Sequence, residues 1–162
     1  MAKILIIYDS LTGYTEQLAR AIAEGARGIT DAQVELRKIG TAFSLRRLEV
    51  VDGVLFGSPV IYGKLSLEMQ NILDSISGLI TSHQLNISNT IASAFGSFAF
   101  SGGWVIRDLG AQLSTLGFIK GPPSLPVMDG LGQPTPITLS PQNLQLCFKF
   151  GKSLAEQIAS RS

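Results

Sequence analysis

The sequence predicts a doubly wound α/β fold: a five-stranded parallel sheet with helices on both faces. Three observations carry that prediction. Short apolar runs alternate along the chain with stretches of helical period. The runs are almost continuously apolar, as in strands buried on both faces of a parallel sheet. The chain has 162 residues, of which 45% are hydrophobic and 15% charged, which suits one domain with a sizeable core and not a disordered segment. With no internal repeat or linker, residues 1–162 read as a single domain.

The first strand is Lys3–Tyr8, built on Ile4-Leu5-Ile6-Ile7-Tyr8. A helix opens at Glu16, with Leu18, Ile22 and Ala26 recurring every four residues. Val34–Ile39 is the second strand, and Thr41–Glu49 suits either a short helix or an irregular crossover. Gly53–Gly57 is the third strand, followed by a helix carrying Leu65, Met69, Ile72 and Ile76. Thr90–Phe95 is the fourth, followed by a helix with Leu109, Leu113 and Leu116. A weaker fifth strand falls within Phe118–Met128, and the Pro- and Gly-rich stretch Gly121–Pro136 includes a loop. The last helix starts at Ser140-Pro141, a capping residue followed by proline at the first helical position. Its apolar face is Leu144, Phe148, Gly151, Leu154 and Ile158.

Composition removes several function classes. The net charge is +1 and no cluster of Lys and Arg exceeds Arg46-Arg47, so no nucleic-acid partner is expected. No apolar run approaches the ~18 residues of a membrane span. Met1-Ala2-Lys3 leads straight into a strand without signal-peptide regions, which fits a cytoplasmic protein. A single cysteine, Cys147, excludes an intrachain disulfide and any four-cysteine metal site; on the last helix it reads as core. His83, in Thr81-Ser82-His83-Gln84, reads as a surface residue.

In wound sheets ligands bind beyond the carboxyl ends of the strands. The segment after the first strand, Ser10-Leu11-Thr12-Gly13-Tyr14-Thr15, places three hydroxyls and a glycine at a strand-to-helix turn. A helix N-terminus offers unsatisfied N–H groups and a partial positive charge to an anion. The loop contains no Lys or Arg and is flanked by Asp9 and Glu16, so it suits a monoester phosphate better than a triphosphate. Neither G-x-x-x-x-G-K-[ST] nor G-x-G-x-x-G follows the first strand, which disfavours nucleotide hydrolysis and dinucleotide binding. The plainer alternative is that these hydroxyls merely cap the helix, for which one would suffice.

Two later loops suit a flat ring. Gly57-Ser58-Pro59-Val60-Ile61-Tyr62-Gly63 follows the third strand, and Gly96-Ser97-Phe98-Ala99-Phe100-Ser101-Gly102-Gly103-Trp104 follows the fourth. Apolar side chains can sandwich a heteroaromatic ring while backbone groups serve its polar edge. Taken singly, each apolar residue could equally be ordinary core.

The pattern Ser10-x-Thr12-Gly13-x-Thr15 after an apolar first strand resembles the FMN-phosphate signature of flavodoxins. Ala94–Gly103 is similar to the ring loop of the flavodoxin domain in flavodiiron proteins, with Phe100 where that pattern usually has tryptophan. Asp52–Gly63 resembles both that domain and the tryptophan-repressor-binding-protein type of quinone reductase. The resemblance extends from Lys3 to the last helix and implies a flavodoxin-like fold with FMN as cofactor. It assigns the phosphate to Ser10, Leu11, Thr12, Gly13, Tyr14 and Thr15. The ring falls to Pro59, Val60, Ile61, Tyr62 and Gly63, together with Ser97, Phe98, Ala99, Phe100, Gly102 and Gly103. No catalytic side chain is required, and one histidine cannot supply a diiron centre.

The reading ranked first is an electron carrier between partner proteins, a reductase on one side and an acceptor on the other. A backbone carbonyl in Pro59–Gly63 would bond to the protonated ring nitrogen, with Gly63 easing a peptide reorientation. Near-neutral charge fits strong steering toward basic partners poorly. That keeps an FMN-dependent NAD(P)H:quinone oxidoreductase as the alternative, an enzyme that commonly completes its site with a second subunit; an oligomer is compatible with the sequence. A phosphorylated receiver domain is disfavoured, because Phe56-Gly57-Ser58 has no carboxylate. A cofactor-free interaction domain is the remaining class.

Overall fold

β1 (Lys3–Tyr8) lies inside the sheet because both of its faces are apolar. In a computed structural model, which describes residues 1–28, 31–128 and 138–161, its side chains alternate between two cores. Ile4, Ile6 and Tyr8 pack with α1 (Tyr14–Arg27) and α4 (Pro141–Arg161). Leu5 and Ile7 pack with α2 (Leu67–Thr81) and α3 (Gly103–Leu116) on the opposite face. Each fully buried Leu or Ile contributes roughly 1.5–3 kcal/mol, so the two-sided burial of β1 anchors the whole architecture.

The sheet order is β2 (Gln33–Lys38), β1, β3 (Gly53–Ile61), β5 (Ile91–Phe98) and then β6 (Ile119–Lys120), with all these pairs parallel. The predicted five-strand width is therefore observed, although seven strands are formed among the described residues. Two differences account for the number. The fifth strand is split into β6 and β7 (Leu125–Met128), both paired with β5. Between them lie Pro122 and Pro123, which have no N–H to donate to the ladder. The other addition is β4 (Lys64–Leu65), which pairs antiparallel with the end of β3.

The remaining connections follow local chemistry. Thr41–Glu49 forms only a 3₁₀ turn at Leu45–Glu49, capped by Ser44 and pinned by buried Leu48. Ser66 caps α2 by accepting the Met69 N–H at 3.2 Å, so Leu65 belongs to β4 and not to the helix. Ser140 accepts the Asn143 N–H at 3.1 Å, the cap expected before Pro141. Part of the expected Gly121–Pro136 loop, residues 129–136, lies outside the described residues.

On α4 the expected apolar face is only half right. Gly151, Leu154 and Ile158 are buried, but Leu144 and Phe148 remain 40% and 38% exposed while Cys147 and Phe150 turn inward. The cause is the close crossing with α1. A Cβ on Gly25 would lie 2.2 Å from the Phe148 carbonyl oxygen, and one on Gly151 would lie 2.0 Å from that of Ile22. Phe148 thus meets α1 with its backbone.

Candidate functional site

The carboxyl ends of β1, β3 and β5 open on one side of the sheet, where the three predicted loops meet. After β1 the chain turns at Gly13, whose φ of 92° is a left-handed conformation that glycine adopts without steric cost. A Cβ there would meet nothing within 4 Å, so the space over the turn is open. Ser10 Oγ accepts the Gly13 N–H at 3.1 Å and the Glu16 N–H at 3.3 Å, bracing the loop against the start of α1. Leu11 and Thr12 are exposed at the crest.

Two residues of this segment face inward. The Tyr14 side chain is buried, its hydroxyl donating to the Met128 carbonyl at 3.4 Å and accepting from Asn143 Nδ2 at 3.3 Å. Tyr14 can therefore serve a ligand in the loop only through its backbone. Thr15 is also buried, with Oγ1 3.0 Å from the Ser97 hydroxyl at the end of β5. That bond joins the first loop to the third across 82 residues of sequence.

An unforeseen chain of side chains stands beside the loop. The Tyr8 hydroxyl donates to Glu16 Oε1 at 3.0 Å, and Arg20 approaches the other oxygen at 3.6 Å. Burial raises the Tyr8 pKa first, and the hydrogen bond to Glu16 and its charge raise it further. The carboxylate next to the anion-favouring helix terminus is thus held by a donor and a cation. Its only sequence signal is an i, i+4 Glu–Arg pair; Tyr8 looks like any strand residue.

The second and third segments depart from the expected loops. Pro59, Val60 and Ile61 continue β3, and Ser97 and Phe98 continue β5. The parallel ladder runs on through Ser58–Gly96 and Pro59–Ser97, and Val60–Leu65 then pairs antiparallel. Only Tyr62 and Gly63 form the turn, with φ values of 49° and 74°. Positive φ at both central residues is the signature of a type I′ hairpin turn, whose twist suits the flanking strands. Tyrosine is an unusual occupant of that conformation. Its side chain is wholly exposed, and Phe100 on the neighbouring loop is 81% exposed.

The hairpin and the β5–α3 loop touch directly. A Cβ on Gly102 would come within 2.8 Å of Val60 Cγ1, and one on Gly103 within 3.4 Å of the Phe98 ring. Ala99 is partly buried, and Trp104 is exposed at the start of α3. Beneath the hairpin, Ser58 Oγ accepts the Ser66 N–H at 3.1 Å, tying β3 to the cap of α2. Asp9, at the end of β1, is buried, and its Oδ2 has no hydrogen-bond partner among the described residues.

The donor chemistry fits a phosphorylated flat ligand. Neutral hydroxyls and N–H groups gather at a helix N-terminus, open space lies over Gly13, and two exposed aromatic residues stand on adjacent loops. Among the described residues no group of three or more His, Cys, Asp or Glu side chains could hold a metal ion. No described helix is long and apolar enough to cross a membrane. His83 is exposed.

Comparison with known proteins gives the same direction. A family model described as Flavodoxin matches residues 6–133. A flavodoxin of Aquifex aeolicus is 36% identical over 64% of this chain and 52% of its own length. An NAD(P)H dehydrogenase (quinone) of Acidithiobacillus ferrooxidans is 33% identical over 49% of each chain. The chain thus spans about half the length of these curated relatives. Among solved structures, a flavodoxin from the domain Archaea superposes with a TM-score of 0.80 at 24% identity, covering 97% of this chain and 99% of that one. The Flv1 flavodiiron core of Synechocystis sp. PCC6803 gives 0.79 at 24% identity, covering 99% of this chain and 37% of that one. At these identities the structures show the fold alone.

Proposed function

The chain belongs to the flavodoxin family, and from that premise we propose that it is an FMN-dependent electron carrier working between two partner proteins. Members of the family bind FMN, and the sheet order is the familiar flavodoxin-like one, with its ligand switch point between β1 and β3. The observation that carries the reading is the cation-free turn Ser10–Thr15 at the start of α1, bonded through Thr15 to the strand that bears the ring loop.

When bound, FMN supplies the electron-accepting ring, and the protein supplies position and electrostatics. In this reading Ser10, Thr12, Thr15 and the first-turn N–H groups hold the phosphate. Hydrogen bonds to a charged acceptor contribute roughly 1.5–3 kcal/mol each, so several replace a counter-charge. The pairing of Glu16 with Tyr8 and Arg20 limits its repulsion of the phosphate. Tyr62 and Phe100 would cover the ring, and the Val60–Gly102 contact sets how far apart their loops stand. In this reading a backbone carbonyl of the Tyr62–Gly63 turn would hold a ring proton.

The residues form one domain that operates in the cytoplasm. Its net charge of +1 suits docking through apolar contacts more than a strong acidic field. The same near-neutrality, with the relative described as NAD(P)H dehydrogenase (quinone), favours a second reading as an NAD(P)H:quinone oxidoreductase. Steady-state NADPH oxidation with benzoquinone separates the two. The carrier reading predicts negligible turnover by the FMN-loaded protein alone and reduction once a flavoprotein reductase is added. Rapid turnover without a reductase would establish the enzyme instead.

A further inference from the structure

The Thr15–Ser97 pair carries a consequence for ligand choice. The two hydroxyl oxygens are 3.0 Å apart, and their residues are only 2% and 4% exposed. Each hydroxyl has one proton to give. If Thr15 donates to Ser97, it has none left for an anion; if Ser97 donates to Thr15, the Thr15 proton is free. Among the described residues the Ser97 hydroxyl bonds to Thr15 alone, so donation to Thr15 costs it no other bond. A phosphate oxygen is a pure acceptor and therefore selects the order Ser97 to Thr15 to phosphate.

We propose that Ser97 is a specificity-determining positioning residue: its hydroxyl donates to Thr15 Oγ1 and so fixes the Thr15 rotor with its O–H turned to the phosphate of the ligand, an orientation that is lost when the donor is removed. This rests on the FMN reading of the site. It moves the Ser97 side chain from the ring half of the site to the phosphate half, leaving only its backbone beside the ring. The placement is rigid, because Ser97 is held in the ladder between Pro59 of β3 and Val127 of β7. The consequence is discrimination of the phosphorylated flavin from the bare one by a residue outside the phosphate loop.

The test is a pair of fluorescence titrations, FMN and riboflavin, into the full chain and into Ser97→Ala and Ser97→Thr. Ser97→Ala is expected to weaken FMN by about three- to tenfold and leave riboflavin within about twofold. Ser97→Thr, which keeps the hydroxyl, is expected to restore the preference for FMN, and the ³¹P resonance of bound FMN should move in the alanine variant alone. Equal weakening of both flavins by Ser97→Ala would overturn the proposal in favour of a structural strut. Unchanged FMN binding would overturn it too. Failure of the unsubstituted protein to bind FMN would instead sink the cofactor reading on which it rests, and is seen before any variant is made.

Discussion

Gly102 and Val60 meet so closely that a Cβ on the glycine would come within 2.8 Å of Val60 Cγ1. This contact holds the β3–β4 hairpin against the loop before α3, and in the proposed reading it sets the spacing of the two loops around the ring. Gly102→Ala must both occupy that space and hold a φ of 119°, a conformation that side chains rarely adopt. The substitution is expected to weaken riboflavin and FMN alike, by about tenfold, since the proposed reading assigns Gly102 to the ring half shared by both. Titration of the two flavins checks this. Loss confined to FMN would place Gly102 in the wrong half of the site.

Tyr62 stands at φ 49° in a turn where Asn or Gly is at ease. A left-handed backbone costs a non-glycine residue roughly 1–2 kcal/mol, and the proposed reading gives Tyr62 a role over the ring that offsets this strain. Tyr62→Asn is therefore expected to stabilise the apoprotein by up to about 1 kcal/mol while weakening riboflavin several-fold. Urea denaturation and flavin titration on one preparation read both effects.

Cys147 is fully buried, and burial pushes its thiol pKa up to about 12. The thiolate is the reactive form, and an apolar environment disfavours it. The native protein is expected to leave a thiol reagent unreacted at mildly alkaline pH and to react with one equivalent once unfolded. Rapid labelling of the native form would contradict the placement of Cys147 between α4 and α1.

On β2 and the following turn, Glu35 is gripped by Arg47 and Arg37. The Arg47 hydrogen bond leads in holding the Glu35 carboxyl below its ordinary 4.5, against a smaller opposing effect of burial, and Arg37 adds to it. A depressed carboxylate pKa contributes stability that is present above the unfolded value and lost as pH falls through the folded one. Denaturation midpoints should therefore show wild type exceeding Glu35→Gln at neutral pH, with the gap closing below 4.5. The pair is partly exposed, so the gap is expected to be modest and to shrink with salt.

Much of this was legible in the residues, and the exceptions have physical causes. β1 coincided with its apolar run because burial on both faces leaves no ambiguity of period. The Ser140–Pro141 start of α4 was legible because capping and proline chemistry are local. The ends of β3 and β5 were not: Pro59, Ser97 and their neighbours extend the ladder only because the adjacent strand is there to pair with. Leu144 and Phe148 fit a helical stripe, yet the Gly25 and Gly151 crossing rotates α4 away from it. In the site, the hydroxyl-rich turn could be recognised, whereas the direction in which Thr15 and Tyr14 point depends on Ser97, Met128 and Asn143 far along the chain.

The central claim is that the Ser10–Thr15 turn binds the phosphate of FMN without a cation, and comparative titration tests it most directly. Apoprotein should quench FMN fluorescence with one-to-one stoichiometry and bind FMN at least about tenfold more tightly than riboflavin. Thr12→Ala and Thr15→Ala should each erode that advantage while sparing riboflavin. A protein that leaves FMN fluorescence unquenched, or binds the two flavins equally well, would contradict the claim.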